Sequence, residues 1–203
     1  MLFVYRGIRK VYTVIYLLFT RYLTVYLFKL NNINLGEGFV SNGMPILLVH
    51  KNAKVNIGIN FKMNNFITSN PIGRNWKCFI IVRNNASLCI GNNVGISGTS
   101  IVCHKFIQID DNVKIGGNVC IYDTDFHSLS SGDRINRIKD KNNTIVKSVH
   151  IEKNVFIGAH STILKGVKIG ENSIIGACSV VTKNIPKNEI WAGNPAKFIK
   201  KSI

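Results

Sequence analysis

From Ile151 onward this chain counts in sixes: Ile151, Ile157, Ile163, Ile169, Ile175 and Val181 follow one another at a fixed step. The same step joins Ile90, Ile96 and Val102, and again Ile109, Ile115 and Ile121. Gly91, Gly116, Gly158, Gly170 and Gly176 each follow one of these aliphatics directly, and the fifth place of a unit holds a small or β-branched residue such as Val155, Ser161, Val167 or Ser173. A strand alternates with a period of two and a helix returns every three to four residues, so a period of six excludes a long element of either kind. It suits a short strand followed by a turn, the aliphatic residue pointing inward and the glycine relieving the corner. Three such units close a triangular coil. Coils stacked at about 4.8 Å pair every backbone group with the coil above or below. The predicted fold class is therefore an all-β solenoid, a parallel β-helix.

Three units per coil give three columns. The first holds Ile90, Ile109, Ile151 and Ile169; the second Ile96, Ile115, Ile157 and Ile175; the third Val102, Ile121, Ile163 and Val181. Two places beyond the third column lie His104, Asp123, Lys165 and Lys183, a polar edge; two places beyond the second lie Gly98, Gly117, Ala159 and Ala177, a groove of small residues that admits an extended ligand. Between Ile121 and Ile151 the chain spends far more residues than one step requires, and this excursion, residues 123–150, opens with "DTDFH". Residues 44–78 read as irregular early coils, with "MNNFITSNPIGRNW" as a loop. The expected organisation is a helical segment over 1–43, the β-helix over 44–190 and a basic tail over 191–203.

Lys and Arg number 26 against 10 Asp and Glu, a formal charge of +16, which favours anionic partners such as phosphorylated cofactors, acidic lipid or acidic glycans. No recognition helix or aromatic platform points to nucleic acid. Five cysteines without a CxxC spacing fit reduced thiols in a cytoplasmic protein rather than a disulfide framework. At the N-terminus "VYTVIYLLF" and "YLTVYLF" form an apolar segment that Arg21 breaks and that Arg9, Lys10 and Lys29 flank. The charge argues against a spanning helix, and no A-x-A-like site follows it. Two readings remain: a helix lying on an anionic membrane at the inner face of the cell, or one that covers the end of the main domain or packs between subunits.

The repeat, together with the closing "VVTKNIPKNEIWAGNPAKFIKK", resembles the hexapeptide-repeat acyltransferases. Within them it is most similar to the branch of maltose, galactoside and xenobiotic acetyltransferases and of bacterial surface-polysaccharide O-acetyltransferases. The resemblance runs from about residue 79 to the end. It implies a left-handed β-helix, acetyl-CoA as co-substrate, no metal, and a homotrimer with active sites between neighbouring chains. It also implies that His127 is the general base, a task suited to a side chain whose ordinary pKa of about 6.5 leaves it largely neutral at pH 7. Asp125 or Asp123 would accept the other imidazole N–H, although relatives also draw this partner from elsewhere. By the same resemblance Ala159 and Ala177 meet the pantetheine arm, Thr182 and Lys183 stand near the adenine and phosphates, Lys197 reaches a phosphate, with Lys187, Lys200 and Lys201 adding positive charge, and Trp191 caps the last coil.

The acceptor implied is a sugar hydroxyl on a surface polysaccharide or its precursor; serine, an amino-sugar nucleotide or an antibiotic are the alternatives. A zinc-dependent β-helix enzyme is a rival because His104, His127, His150 and His160 punctuate the repeats, but the column register does not bring three of them together. A non-catalytic solenoid scaffold explains the sixes and leaves the excursion and the basic end without a purpose.

Overall fold

The computed structural model describes residues 2–66, 72 and 76–202. Most of the expected loop over 63–76, namely 67–71 and 73–75, lies outside the described residues. One long helix, α1 (Leu2–Leu30), comes first. It stops because Asn32 adopts a left-handed φ of 52°, which lets Asn32 N–H reach Lys29 O at 3.1 Å and Ile33 N–H reach Phe28 O at 3.0 Å, a Schellman ending. Ile33 and Phe28 are both buried beside it. Thr20, Thr24 and Phe28, four apart, form the buried face of α1, and Phe28 continues into Phe39 and Phe61 through ring contacts of 5.3 and 6.0 Å. The C-terminal end of the helix thus plugs the first coil.

Beyond it the chain makes three parallel sheets, one for each side of a triangular coil. One sheet runs through 34–35, 54–57, 87–90, 106–109, 149–151 and 168–169. A second runs through 40–42, 62–64, 95–97, 114–117, 156–157, 174–175 and 189–192, with 197–201 added antiparallel at the end. The third runs through 46–49, 79–82, 100–103, 120–122, 162–163 and 180–181. This is the three-sided β-helix that the period of six predicts. The first column, Ile90, Ile109, Ile151 and Ile169, and the second, Ile96, Ile115, Ile157 and Ile175, pair in that register. Trp191 extends the second column on Ile175 and closes the core, as expected of a cap.

Four expectations are corrected. In the third column the partner of Ile121 is Ile101, not Val102, because Gly116 bulges out of the neighbouring strand and makes the step from Ile115 to Ile121 one residue longer than that from Ile96 to Ile101; the corner before Phe106 then absorbs two residues rather than one. The stacked polar edge therefore continues from Asp123 to Cys103, one place before His104. Second, the solenoid starts at Asn34, not at residue 44: Leu35, Ser41 and Leu47 are in phase, but the buried serine hides the step. The excursion, third, is tied off by a bridge between Thr124 and Val146, earlier than residue 150.

The last correction concerns glycine. The corners between the first and second sheets are turned by Asn60, Asn93, Asn112, Asn154, Asn172 and Asn188, all at φ between 56° and 61°, where asparagine is tolerated and most residues are strained. Their side chains form a ladder, each amide donating to the next at 2.9–3.1 Å. Glycine serves close approach instead: a Cβ on Gly158 would lie 2.5 Å from Ala177 N, and one on Gly170 2.5 Å from Lys187 N.

Candidate active site

The excursion leaves the corner between the third and first sheets and is a folded unit. Asp125 N–H reaches Ile145 O at 3.1 Å and Lys147 N–H reaches Asp123 O at 2.9 Å, so the two stems are paired. Two short helices follow, Ser131–Arg134 capped by Ser130 and Arg137–Asn142 capped by Asn136, whose side chain accepts from Ile138 and Lys139 N–H. Buried Ser128 ties them together: its Oγ donates to Asp133 Oδ2 at 2.9 Å, its carbonyl accepts from Arg134 at 2.8 Å, and its N–H donates to Asp140 Oδ1 at 2.7 Å.

His127 stands on this unit with its side chain 69% exposed and its Nδ1 2.7 Å from Asp140 Oδ2. Among the described residues no partner reaches Nε2. The hydrogen bond from His127 and the N–H of Ser128 hold the Asp140 carboxyl below the usual carboxylate range, so it is ionised at neutral pH and can only accept. Nδ1 must therefore carry the proton, and a neutral His127 presents the bare lone pair of Nε2 to the outside. This arrangement orients and readies a base.

Neither acid expected to orient His127 does so. Asp123 is wholly buried, and its carboxylate accepts from His104, Lys105 and Phe106 N–H at 2.7, 2.7 and 2.9 Å; it fixes the adjoining turn one coil away. Asp125 is paired with Lys165 Nζ at 2.6 Å, one coil beyond. The residue that the sequence reading missed is Asp140. Its signal was Asn136, a helix-capping residue type placed so that Asp140 falls one turn into the helix and faces back toward the loop. Phe126, at a φ of 62°, packs edge-on against Tyr122 and His104, with centroids 5.2 and 6.1 Å away, and so anchors the residue next to His127.

The expected cofactor residues lie elsewhere on the coil. Ala159 and Ala177 occupy the corner between the second and third sheets in successive coils, where Ala159 O accepts from Cys178 N–H at 2.8 Å. Beside them Asn118, His160 and Cys178 turn the corner at φ of 58–61°. Thr182 and Lys183 are exposed at the far end of the same side, and Lys183 Nζ lies 5.2 Å from the centre of the Trp191 ring. Lys197 is exposed opposite Ala192. Lys201 is not free to add to this patch, since it pairs with Glu189 at 2.6 Å. The small corner and the basic end fit a long ligand with an anionic tail. Within one chain, however, Ala159 and Ala177 are at one edge of the third sheet and the loop of His127 is at the other. His104, His127, His150 and His160 are likewise dispersed, and among the described residues no three His, Cys, Asp or Glu side chains gather at a metal-binding spacing.

Comparison with known proteins agrees with this architecture. Residues 148–183 match the bacterial transferase hexapeptide model of six repeats. Among solved structures, AntD, an N-acyltransferase from Bacillus cereus in complex with dTDP and coenzyme A, is 24% identical in one mutant form over 88% of each chain, with a TM-score of 0.68. Another AntD complex, with dTDP-4-amino-4,6-dideoxyglucose and coenzyme A, is 21% identical over 88% of each chain, with a TM-score of 0.69. The hexapeptide-repeat acetyltransferase VCA0836 from Vibrio cholerae is 22% identical over 88% of this chain and 80% of its own, with a TM-score of 0.52. No curated protein sequence matches the chain. Residues 148–183 thus carry the hexapeptide repeat, and the chain shares its β-helix fold with these acyltransferases.

Proposed function

We propose that this protein is a CoA-dependent acyltransferase that moves an acetyl group to a hydroxyl of a sugar, on a bacterial surface polysaccharide or its precursor. The observation that carries this reading is the exposed His127–Asp140 pair with a bare Nε2. A hydroxyl is a poor nucleophile until a base takes its proton, whereas a neutral amine attacks unaided, so an oriented imidazole favours an alcohol acceptor. When bound, acetyl-CoA supplies the acyl group and a thiolate leaving group. His127 Nε2 receives the acceptor proton, and Asp140 holds the ring in the required tautomer and stabilises the positive charge it gains. Ala159 and Ala177 leave the corner low enough for a pantetheine arm to lie against backbone, while Thr182, Lys183 and Lys197 receive the nucleotide end.

Because His127 and the Ala159–Ala177 corner are at different edges of one chain, a complete site requires two chains. A homotrimer with each site shared between neighbours satisfies this, and its interfaces are heterologous, joining one corner of a chain to a different corner of the next. The test is acetyl-CoA consumption by purified protein against free sugars, sugar nucleotides, their 4-amino counterparts, serine and oligosaccharides. Turnover with hydroxyl acceptors supports the reading. Turnover confined to amino sugars would replace it with N-acylation, and failure of acetyl-CoA to bind in calorimetry would remove acyl transfer altogether.

A further inference from the structure

The N-terminal two thirds of α1 has no explanation in the acyl-transfer reading. Only Thr20, Thr24 and Phe28 are buried, and Tyr16 touches Phe66 with ring centroids 4.8 Å apart. Half a turn round the helix, Val4, Ile8, Val11, Ile15, Phe19 and Tyr22 form a continuous stripe pointing away from the β-helix, each 59–75% exposed. An apolar stripe of this length is not left in water.

Charge decides what covers it. The helix carries Arg6, Arg9, Lys10, Arg21 and Lys29 and not one acid. The helix of a second copy of this chain would offer these bases no acid to pair with, whereas an anionic surface attracts all five. Geometry decides how. The apolar run from Val11 ends at Arg21, about ten residues or 15 Å of helix, half the roughly 30 Å of a hydrocarbon core. From Thr20 onward one face is already committed to the first coil. The helix is too short where it is free, and too occupied where it is long enough, to span.

We infer that α1 lies in the plane of a bilayer rich in anionic lipid, its Val4–Tyr22 stripe at the acyl boundary and its basic residues among the headgroups. The first coil then abuts the membrane, and the coil bearing the His127 loop, fourth in its sheet, stands about three inter-coil steps or 15 Å above it. A lipid-borne acceptor lies within reach of that height. The anchoring itself does not depend on the acyl-transfer reading.

Flotation of the full chain with vesicles tests it, using phosphatidylcholine alone and phosphatidylcholine mixed with phosphatidylglycerol. The protein should float with the mixed vesicles, progressively less as salt rises, and little with the neutral ones. Neutralising Arg6, Arg9 and Lys10 to Gln should weaken partitioning roughly a hundredfold. Ile8→Glu with Ile15→Glu should weaken it by about tenfold or more. Both sets of residues are exposed, so circular dichroism and sedimentation should be unchanged. Wild-type protein that floats with neither vesicle overturns the inference. So does an Ile8→Glu/Ile15→Glu variant that floats normally, or one whose assembly dissociates in sedimentation, which would assign the stripe to another copy of the chain.

Discussion

If the catalytic histidine and the cofactor corner that completes its site belong to different chains, two dead enzymes should make a live one. The first variant is His127→Ala, which keeps the small corner and loses the base. The second is Ala177→Trp, which keeps the base and fills an exposed corner with an indole. Each alone should retain about 10⁻² to 10⁻⁴ of normal turnover or less. In a ring of three heterologous interfaces, a site is competent when the chain giving the histidine is the Ala177→Trp variant and the chain giving the corner is the His127→Ala variant. At equal mixing each condition holds with a chance of one half, so about a quarter of the sites recover. The recovery follows f(1−f) in the fraction f of either chain and vanishes at both ends. Co-expression with two affinity tags gives the whole mixture, tandem purification then isolates the mixed assemblies, in each of which one site in three is competent whatever the ratio, and acetyl-CoA consumption reads the sites before and after that step. Mixed assemblies that show no more activity than the two parents summed, at every ratio, would place the whole site within one chain and refute the shared-site reasoning.

Other consequences are quicker to measure. Asp140→Asn should cut kcat by about 10²- to 10⁴-fold with little change in acetyl-CoA affinity, because an amide that donates to Nδ1 forces the proton onto Nε2; an unchanged kcat contradicts the dyad. The folded-state carboxyl of Asp140 is held below its ordinary range, so its stabilisation is fully present above that range and is lost as pH falls through the lowered value. The urea midpoints of wild type and Asp140→Asn should therefore differ at neutral pH and converge only in strong acid. Lys197→Ala should chiefly raise KM for acetyl-CoA, and an effect on kcat alone would count against its phosphate role. Cys178, exposed beside Ala177, should alkylate readily and be protected by coenzyme A, whereas Cys78, whose thiol burial pushes up to about 12, should react only on unfolding; alkylation at Cys178 indifferent to coenzyme A moves the groove elsewhere. Asn112→Val should cost about 1–2 kcal/mol in denaturant melts and Asn112→Gly much less, since the left-handed φ rather than the exposed ladder bonds sets the penalty.

What the sequence revealed and what it concealed divide along a physical line. Inward positions speak in residue type, because each must fill a narrow triangular core: Ile109, Ile151 and Ile169 announce their column, as do Ile115, Ile157 and Ile175. Where the inward residue is polar and satisfied locally, as Ser41 is by Gly43 O at 2.5 Å, the period disappears from view although the coil persists. The one-residue error at Val102 has the same origin, for Ile101 and Val102 are both buried aliphatics and only the bulge at Gly116 tells them apart. Asparagines in the left-handed corners were equally regular and went unused, since a count of aliphatics passes over the turn that makes the count possible.

The site was harder to read for a different reason. His127 stood out because it interrupts the period, but its partner depends on a fold that the loop makes for itself. Asp123 and Asp125 are near in sequence, and an extended stem carries both back into the solenoid, where backbone N–H groups and Lys165 claim them. Asp140 is far in sequence and is returned to the histidine by one turn of capped helix and by Ser128, whose N–H and hydroxyl bind the two acids Asp140 and Asp133. The loop thereby spends the carboxylates at its stem on the solenoid and turns the one at its tip to the exposed imidazole. An excursion that merely joined two coils would have no cause to build a buried serine hub around an exposed imidazole, and that asymmetry is the strongest internal argument that the interruption of the sixes exists to hold a base away from the coil, where another chain can meet it.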